Sequence, residues 1–168
     1  MVGIAQTGTG KTIAFGIPLI QRLAGIKGNG LVVLPTRELA IQVDEVLQKV
    51  GSGIGLRTAV LIGGMAMGPQ ISAIAKKPHV IIATPGRLIY HMNQKNLKLD
   101  LTRIVVLDEA DRMLDMGFLP QIQKILSALP KERQTMLFSA TMPHDIMNMA
   151  ASYMKLPVRV EIAPAGTT

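Results

Sequence analysis

The sequence predicts a doubly wound α/β domain, a mostly parallel sheet with helices on both faces. Three observations carry that prediction. Short, nearly all-apolar stretches at 31–34, 58–62, 80–83, 104–107, 135–138 and 158–162 read as strands buried on both sides. Stretches with helical spacing alternate with them, as in β-α-β units. Polar clusters then follow the apolar stretches directly, and in such sheets ligands gather at the carboxyl ends of the strands.

The first element is the short apolar run Val2-Gly3-Ile4-Ala5, followed by Gln6-Thr7-Gly8-Thr9-Gly10-Lys11-Thr12. Helical spacing continues through Ile13, Phe15, Ile17, Leu19 and Ile20. Strand, glycine turn and helix N-terminus together make a phosphate site. Gly8 and Gly10 let the backbone curl so that successive N–H groups face an anion. The helix from Lys11 adds unpaired N–H groups and the positive end of its dipole. Lys11 supplies a cation for the outer phosphates and Thr12 a hydroxyl for Mg²⁺. The usual pattern opens on glycine where this chain has Ala5, a residue still small enough for the turn.

A Gly- and Lys-bearing loop at 25–30 leads to the strand at 31–34, then Pro35-Thr36-Arg37-Glu38. Thr36 is suited to cap a helix whose apolar face is Leu39, Ile41, Val43, Val46, Leu47 and Val50, ending near Gly51. The strand at 58–62 closes on Gly63-Gly64, and a helix over 69–75 precedes the strand at 80–83. Thr84-Pro85-Gly86-Arg87 opens a helix to about Asn93. The strand at 104–107 ends on Asp108-Glu109-Ala110-Asp111, and a helix over 119–129 follows. The strand at 135–138 ends on Ser139-Ala140-Thr141, before a helix from Pro143 and the last strand. The division expected is one domain over 1–162, with 163–168 as a tail that starts a linker; no repeat or low-complexity segment interrupts it.

Bulk properties bound the function. Apolar residues are 48% of the 168, yet no apolar run approaches the ~20 residues of a membrane span. No signal peptide is read, and the absence of cysteine excludes disulfides and thiolate metal sites. A soluble, cytoplasmic monomer is the expectation. The net charge of +7 suits a polyanion such as nucleic acid, although composition alone equally allows a merely basic soluble protein. Aromatics are only 3%, so a base-stacking platform is not expected and the backbone of a nucleic acid is what would be held.

Three carboxylates directly after a buried strand are costly unless a cation meets them. A hydrated Mg²⁺ shared by Asp108, Thr12 and nucleotide phosphates would do so, with Glu109 placed to orient or deprotonate a water. An acidic helix N-terminus is the plainer reading, and for Asp111 the residues do not choose between the two. His79, His91 and His144 lack ligand spacing, and the eleven methionines read as packing.

The stretch 5–12, the stretch 35–40 (PTRELA), Gly63-Gly64, the stretch 84–87 (TPGR), Asp108-Glu109-Ala110-Asp111 and Ser139-Ala140-Thr141 resemble the motifs of the DEAD-box RNA helicases, in that family's order. The resemblance covers about 3–160 and corresponds to the first RecA-like domain of a two-domain core. It implies an ATP and Mg²⁺ site at Ala5, Gln6, Thr7, Gly8, Thr9, Gly10, Lys11 and Thr12, with Asp108 on the metal and Glu109 activating water. It also implies that the strand ending at Ser139 lies between the phosphate-loop strand and the Asp108 strand. Ser139 and Thr141 could then hydrogen-bond towards Asp111 and sense the nucleotide, although two hydroxyls before Pro143 are also common helix caps. Contacts to RNA backbone are implied at Pro35, Thr36, Arg37, Gly63, Gly64, Thr84, Pro85, Gly86 and Arg87, with little sequence preference.

The family's adenine-recognising glutamine motif and its second RecA-like domain have no counterpart in these residues. The expectation is therefore weak or no hydrolysis by this stretch alone, with full RNA-stimulated turnover and unwinding needing the second domain. Two rivals stay open: another P-loop NTPase such as a DNA helicase, and a nucleic-acid or partner-binding module that does not use ATP.

Overall fold

A computed structural model describes the chain at residues 2–4, 9–154 and 159–161, with side chains described over 10–154. Among the described residues seven strands form one sheet: β1 (Val2–Ile4), β2 (Asn29–Val33), β3 (Thr58–Leu61), β4 (Val80–Ala83), β5 (Thr102–Leu107), β6 (Gln134–Phe138) and β7 (Arg159–Glu161). Their order across the sheet is β3-β4-β2-β5-β6-β1-β7, and the pairings are parallel. The helices are α1 (Thr9–Ala24), α2 (Arg37–Gly51), α3 (Met67–Ala75), α4 (Pro85–Asn93), α5 (Ala110–Asp115), α6 (Leu119–Ala128) and α7 (His144–Tyr153).

Alternation along each strand sorts the apolar residues onto two faces. On one face Val32, Ile82, Ile104 and Val106 pack against Phe15 and Leu19 of α1 and Val43 and Leu47 of α2. On the other, Leu31, Val33, Ile81, Val105 and Leu107 meet Leu88 of α4, Ile122 and Ile125 of α6 and Ile146 of α7. Strands covered on both sides explain their near-continuous apolar sequences. Helix α1 approaches α2 closely at Gly16, where even a β-carbon would meet Leu47 Cδ2 at 2.8 Å. Among the described residues no helix is long and apolar enough to cross a membrane.

This is the doubly wound arrangement that the sequence predicts, and Thr36 caps α2 as expected, accepting from the Leu39 N–H at 3.4 Å. Helix α5 is an addition. Six residues starting inside the acidic cluster give too few turns for a visible apolar stripe, although Met113 is fully buried. The methionines divide: Met113, Met136 and Met149 are core, whereas Met65, Met116 and Met147 are exposed, so packing does not account for all of them.

Register brings the strand ends level. Val33 pairs with Leu107 and Leu107 with Leu137, so Asp108 and Ser139 emerge side by side with β6 between β5 and β1. Leu61 and Val33 both pair with Ala83, so Gly63-Gly64, Pro35 and Thr84 leave the other half of the same edge.

Candidate functional site

The first half of the edge gathers charge. Ala5, Gln6, Thr7 and Gly8 lie outside the described residues; Thr9 begins α1, followed by Gly10, Lys11 and Thr12 in its first turn. Lys11 Nζ stands 2.6 Å from Asp108 Oδ1, with both side chains almost wholly buried. Burial pushes the Asp108 carboxyl above its ordinary range, and the Lys11 ammonium pulls it part of the way back. Buried ions persist when they are paired and hydrogen-bonded, and Asp108 Oδ1 also accepts the Glu109 N–H at 3.0 Å.

Glu109 has φ 53° and ψ 49°, a left-handed backbone uncommon for a residue with a side chain. This bend turns the chain from β5 into α5, and the carboxylate makes no capping bond to the helix it precedes. Glu109 thus stands at the N-terminus of α5, where the helix dipole favours an acid, without spending its carboxylate on a cap. Its side chain is 12% exposed, with Arg112 Nη1 3.9 Å away. Burial raises its pKa, while Lys11 opposes the rise.

Asp111 is tied to the neighbouring strand. Its Oδ2 accepts from Thr141 Oγ1 at 3.0 Å and from the Thr141 N–H at 3.2 Å. The Asp111 N–H donates to Ser139 Oγ at 3.2 Å. The turn after β6 is thus fastened to the start of α5.

A pocket of about 520 Å³ is lined by Lys11, Thr12, Asp108 and Glu109 together with residues of α2. Its hard oxygen donors near Lys11 are the carboxylates of Asp108 and Glu109 and the hydroxyl of Thr12, and no group of three metal-ligating side chains occurs among the described residues. That donor set fits Mg²⁺, which keeps several waters and takes one or two protein ligands beside substrate phosphates.

The second half of the edge is open. Pro35, Arg37, Gly63, Thr84, Gly86 and Arg87 line a groove of about 630 Å³ with Met67, Tyr90 and Phe118. Thr36 spends its hydroxyl on α2, Pro85 is buried at the first helical position, and Gly64 turns with φ +75° beneath the Arg37 guanidinium. Thr84 makes no capping bond with its side chain. The first intrahelical bond of α4 runs from the Leu88 N–H to the Thr84 carbonyl, so the N–H groups of Gly86 and Arg87 precede it. Arg87 donates through Nη1 to the Met65 carbonyl at 3.1 Å, and among the described residues Nη2 and Nε have no acceptor. Tyr90, 45% exposed, is not among the residues the sequence points to; three positions after Arg87 on a helix, it faces the same way.

Comparison with known proteins agrees with this geometry. A family model described as DEAD/DEAH box helicase matches residues 1–149. The DEAD-box ATP-dependent RNA helicase CshA of Bacillus licheniformis is 49% identical over 164 residues, 96% of this chain and 34% of that protein. CshA of Geobacillus kaustophilus is 51% identical over 165 residues, 96% of this chain and 35% of that protein. A DEAD box protein from the hyperthermophile Methanococcus jannaschii superposes with a TM-score of 0.90 at 40% identity, covering 96% of this chain and 45% of that one. The yeast DEAD-box splicing factor Prp28 superposes with a TM-score of 0.92 at 32% identity, covering 97% and 41%. The chain spans about a third of the length of the curated relatives it matches.

Proposed function

The chain belongs to the DEAD/DEAH box helicase family, and from that premise we propose that it binds Mg-ATP at the charged half of the sheet edge and RNA backbone at the open half, as the first RecA-like domain of an ATP-dependent RNA helicase. The observation that carries the reading is the buried Lys11–Asp108 pair at the start of α1 and the end of β5. A lysine and a carboxylate held there suit a ligand that brings both anions and a cation.

In this reading the first N–H groups of α1 and the Lys11 ammonium hold the outer phosphates. Asp108 and Thr12 hold Mg²⁺, whose contribution is to neutralise phosphate charge. Glu109 accepts the proton of the attacking water, and burial raises its pKa in the direction that makes a carboxylate a better base. Thr141 and Ser139, fastened to Asp111, carry the state of the nucleotide corner to the turn after β6. The Thr84 hydroxyl and the unspent N–H groups of Gly86 and Arg87 take phosphate oxygens, which gives little base preference. A second RecA-like domain completes RNA-stimulated turnover and unwinding.

The test is Mg²⁺-dependent ATP hydrolysis with and without single-stranded RNA, with a second RecA-like domain added in trans. RNA-stimulated turnover that disappears in Glu109→Gln is the expected result; equal turnover in the variant contradicts the assignment. Single-stranded DNA that competes as well as RNA removes the RNA half of the reading.

A further inference from the structure

Beneath the open groove runs a buried polar chain that none of these roles uses. Gln70 of α3 is 5% exposed and His91 of α4 is fully buried. Gln70 Nε2 donates to the Ile62 carbonyl at 2.9 Å, which fixes Gln70 Oε1 as an acceptor. His91 Nε2 stands 2.8 Å from that oxygen and must therefore carry a proton and donate it. Nδ1 is left as an acceptor, and Asn96 Nδ2 stands 3.2 Å from it as donor. Only the neutral Nε2–H tautomer satisfies every partner, an assignment made from the network. Burial, helped by Arg87, lowers the His91 pKa in the same sense. Arg87, one helical turn before His91, brings Nη1 to 3.5 Å from the same Gln70 oxygen.

Ile62 immediately precedes Gly63-Gly64, and Arg87 and His91 belong to the first two turns of α4. We infer that Gln70 is a positioning residue whose buried amide clamps the Gly63-Gly64 turn to the start of α4, fixing the distance between that turn's backbone N–H groups and the Arg87 fork. His91 is the fixed counterpart of the clamp. The inference rests on the RNA reading of the groove for its purpose, though not for its geometry. A neutral clamp holds the two loops without burying an unpaired charge.

Three readouts on the whole chain test it. In Gln70→Leu, mobility rises together at Gly63-Gly64, read as lower NMR order parameters, and in α4, read as amide exchange about tenfold or more faster from Leu88 onward, while α1 and β5 keep their protection. His91→Phe gives the same paired rise, and it carries the comparison if Gln70→Leu does not fold. Imidazole nitrogen NMR at neutral pH finds His91 protonated on Nε2 only. Affinity for single-stranded RNA falls about tenfold in Gln70→Leu and in Arg87→Ala, and the double variant loses little more than Arg87→Ala alone. Unchanged order parameters at Gly63-Gly64, unchanged exchange from Leu88 onward, an Nδ1–H tautomer, or fully additive affinity losses would overturn the inference. If Arg87→Ala binds RNA as tightly as the parent, the RNA reading fails; the paired mobility readout then still decides the clamp.

Discussion

The two halves of the sheet edge solve opposite problems. At the β5-β6-β1 half, full charges are buried and neutralise one another: Lys11 meets Asp108 at 2.6 Å with both side chains nearly inaccessible. At the β3-β4-β2 half, neutral hydrogen bonds are buried and the donors above them are left exposed, with Arg87 anchored by Nη1 alone. The first half is satisfied internally until a ligand substitutes for its partners. The second is preorganised and incomplete, because its unspent N–H groups face solvent. A compact ligand carrying anion and cation suits the first, and an extended polyanion suits the second.

The largest effect should come from breaking the charged pair on one side only. Lys11→Met leaves a buried carboxylate uncompensated and is expected to destabilise the fold by about 3–5 kcal/mol at neutral pH. The sign follows from the direction of the shift. Losing Lys11 lifts the Asp108 carboxyl still further above its ordinary 3.8, so the penalty shrinks as pH falls and that carboxyl takes a proton. Denaturant melts across pH check this, and adding Asp108→Asn should restore most of the loss.

Glu109→Gln tests chemistry rather than folding. Turnover should fall by about 10²–10⁴, as expected for loss of a general base, with little change in Tm. Because burial raises the Glu109 pKa, the acid limb of the parent's pH–rate profile should lie above the ordinary glutamate value of 4.5. A limb at or below that value would remove Glu109 as the base.

The open half gives smaller, salt-dependent effects. Arg87→Ala should weaken RNA binding about tenfold, and the slope of log affinity against log salt should fall by about 0.7 for each single-strand phosphate that the variant no longer neutralises. Smallest of all, Thr141→Val removes one hydroxyl bond to a partly exposed Asp111 and should cost about 0.5–1.5 kcal/mol in a chemical melt.

What the sequence made legible follows the same division. Strands buried on both faces write themselves as apolar runs, so β2, β4 and β5 and the polar residues that follow them can be read directly. The phosphate loop and the acids after β5 are contiguous in sequence and therefore legible. Gln70 and His91 lie 21 residues apart on two helices, and only the packing of α3 against α4 brings them within 2.8 Å. Ligand spacing alone does not find this role for the histidines, since His91 and His79 serve as hydrogen-bond partners in the fold; His79 Nδ1 accepts the Arg57 N–H at 2.9 Å. The left-handed backbone of Glu109 is equally hidden, because nothing in its side chain announces it.

The most direct measurement is a paired titration of one preparation with Mg-nucleotide and with single-stranded RNA, each in two variants. Lys11→Met/Asp108→Asn, which keeps the fold, is expected to lose nucleotide and retain RNA. Arg87→Ala is expected to retain nucleotide and lose RNA. A folded variant that loses both ligands, or variants that lose neither, would contradict the division of the edge into two separately built sites.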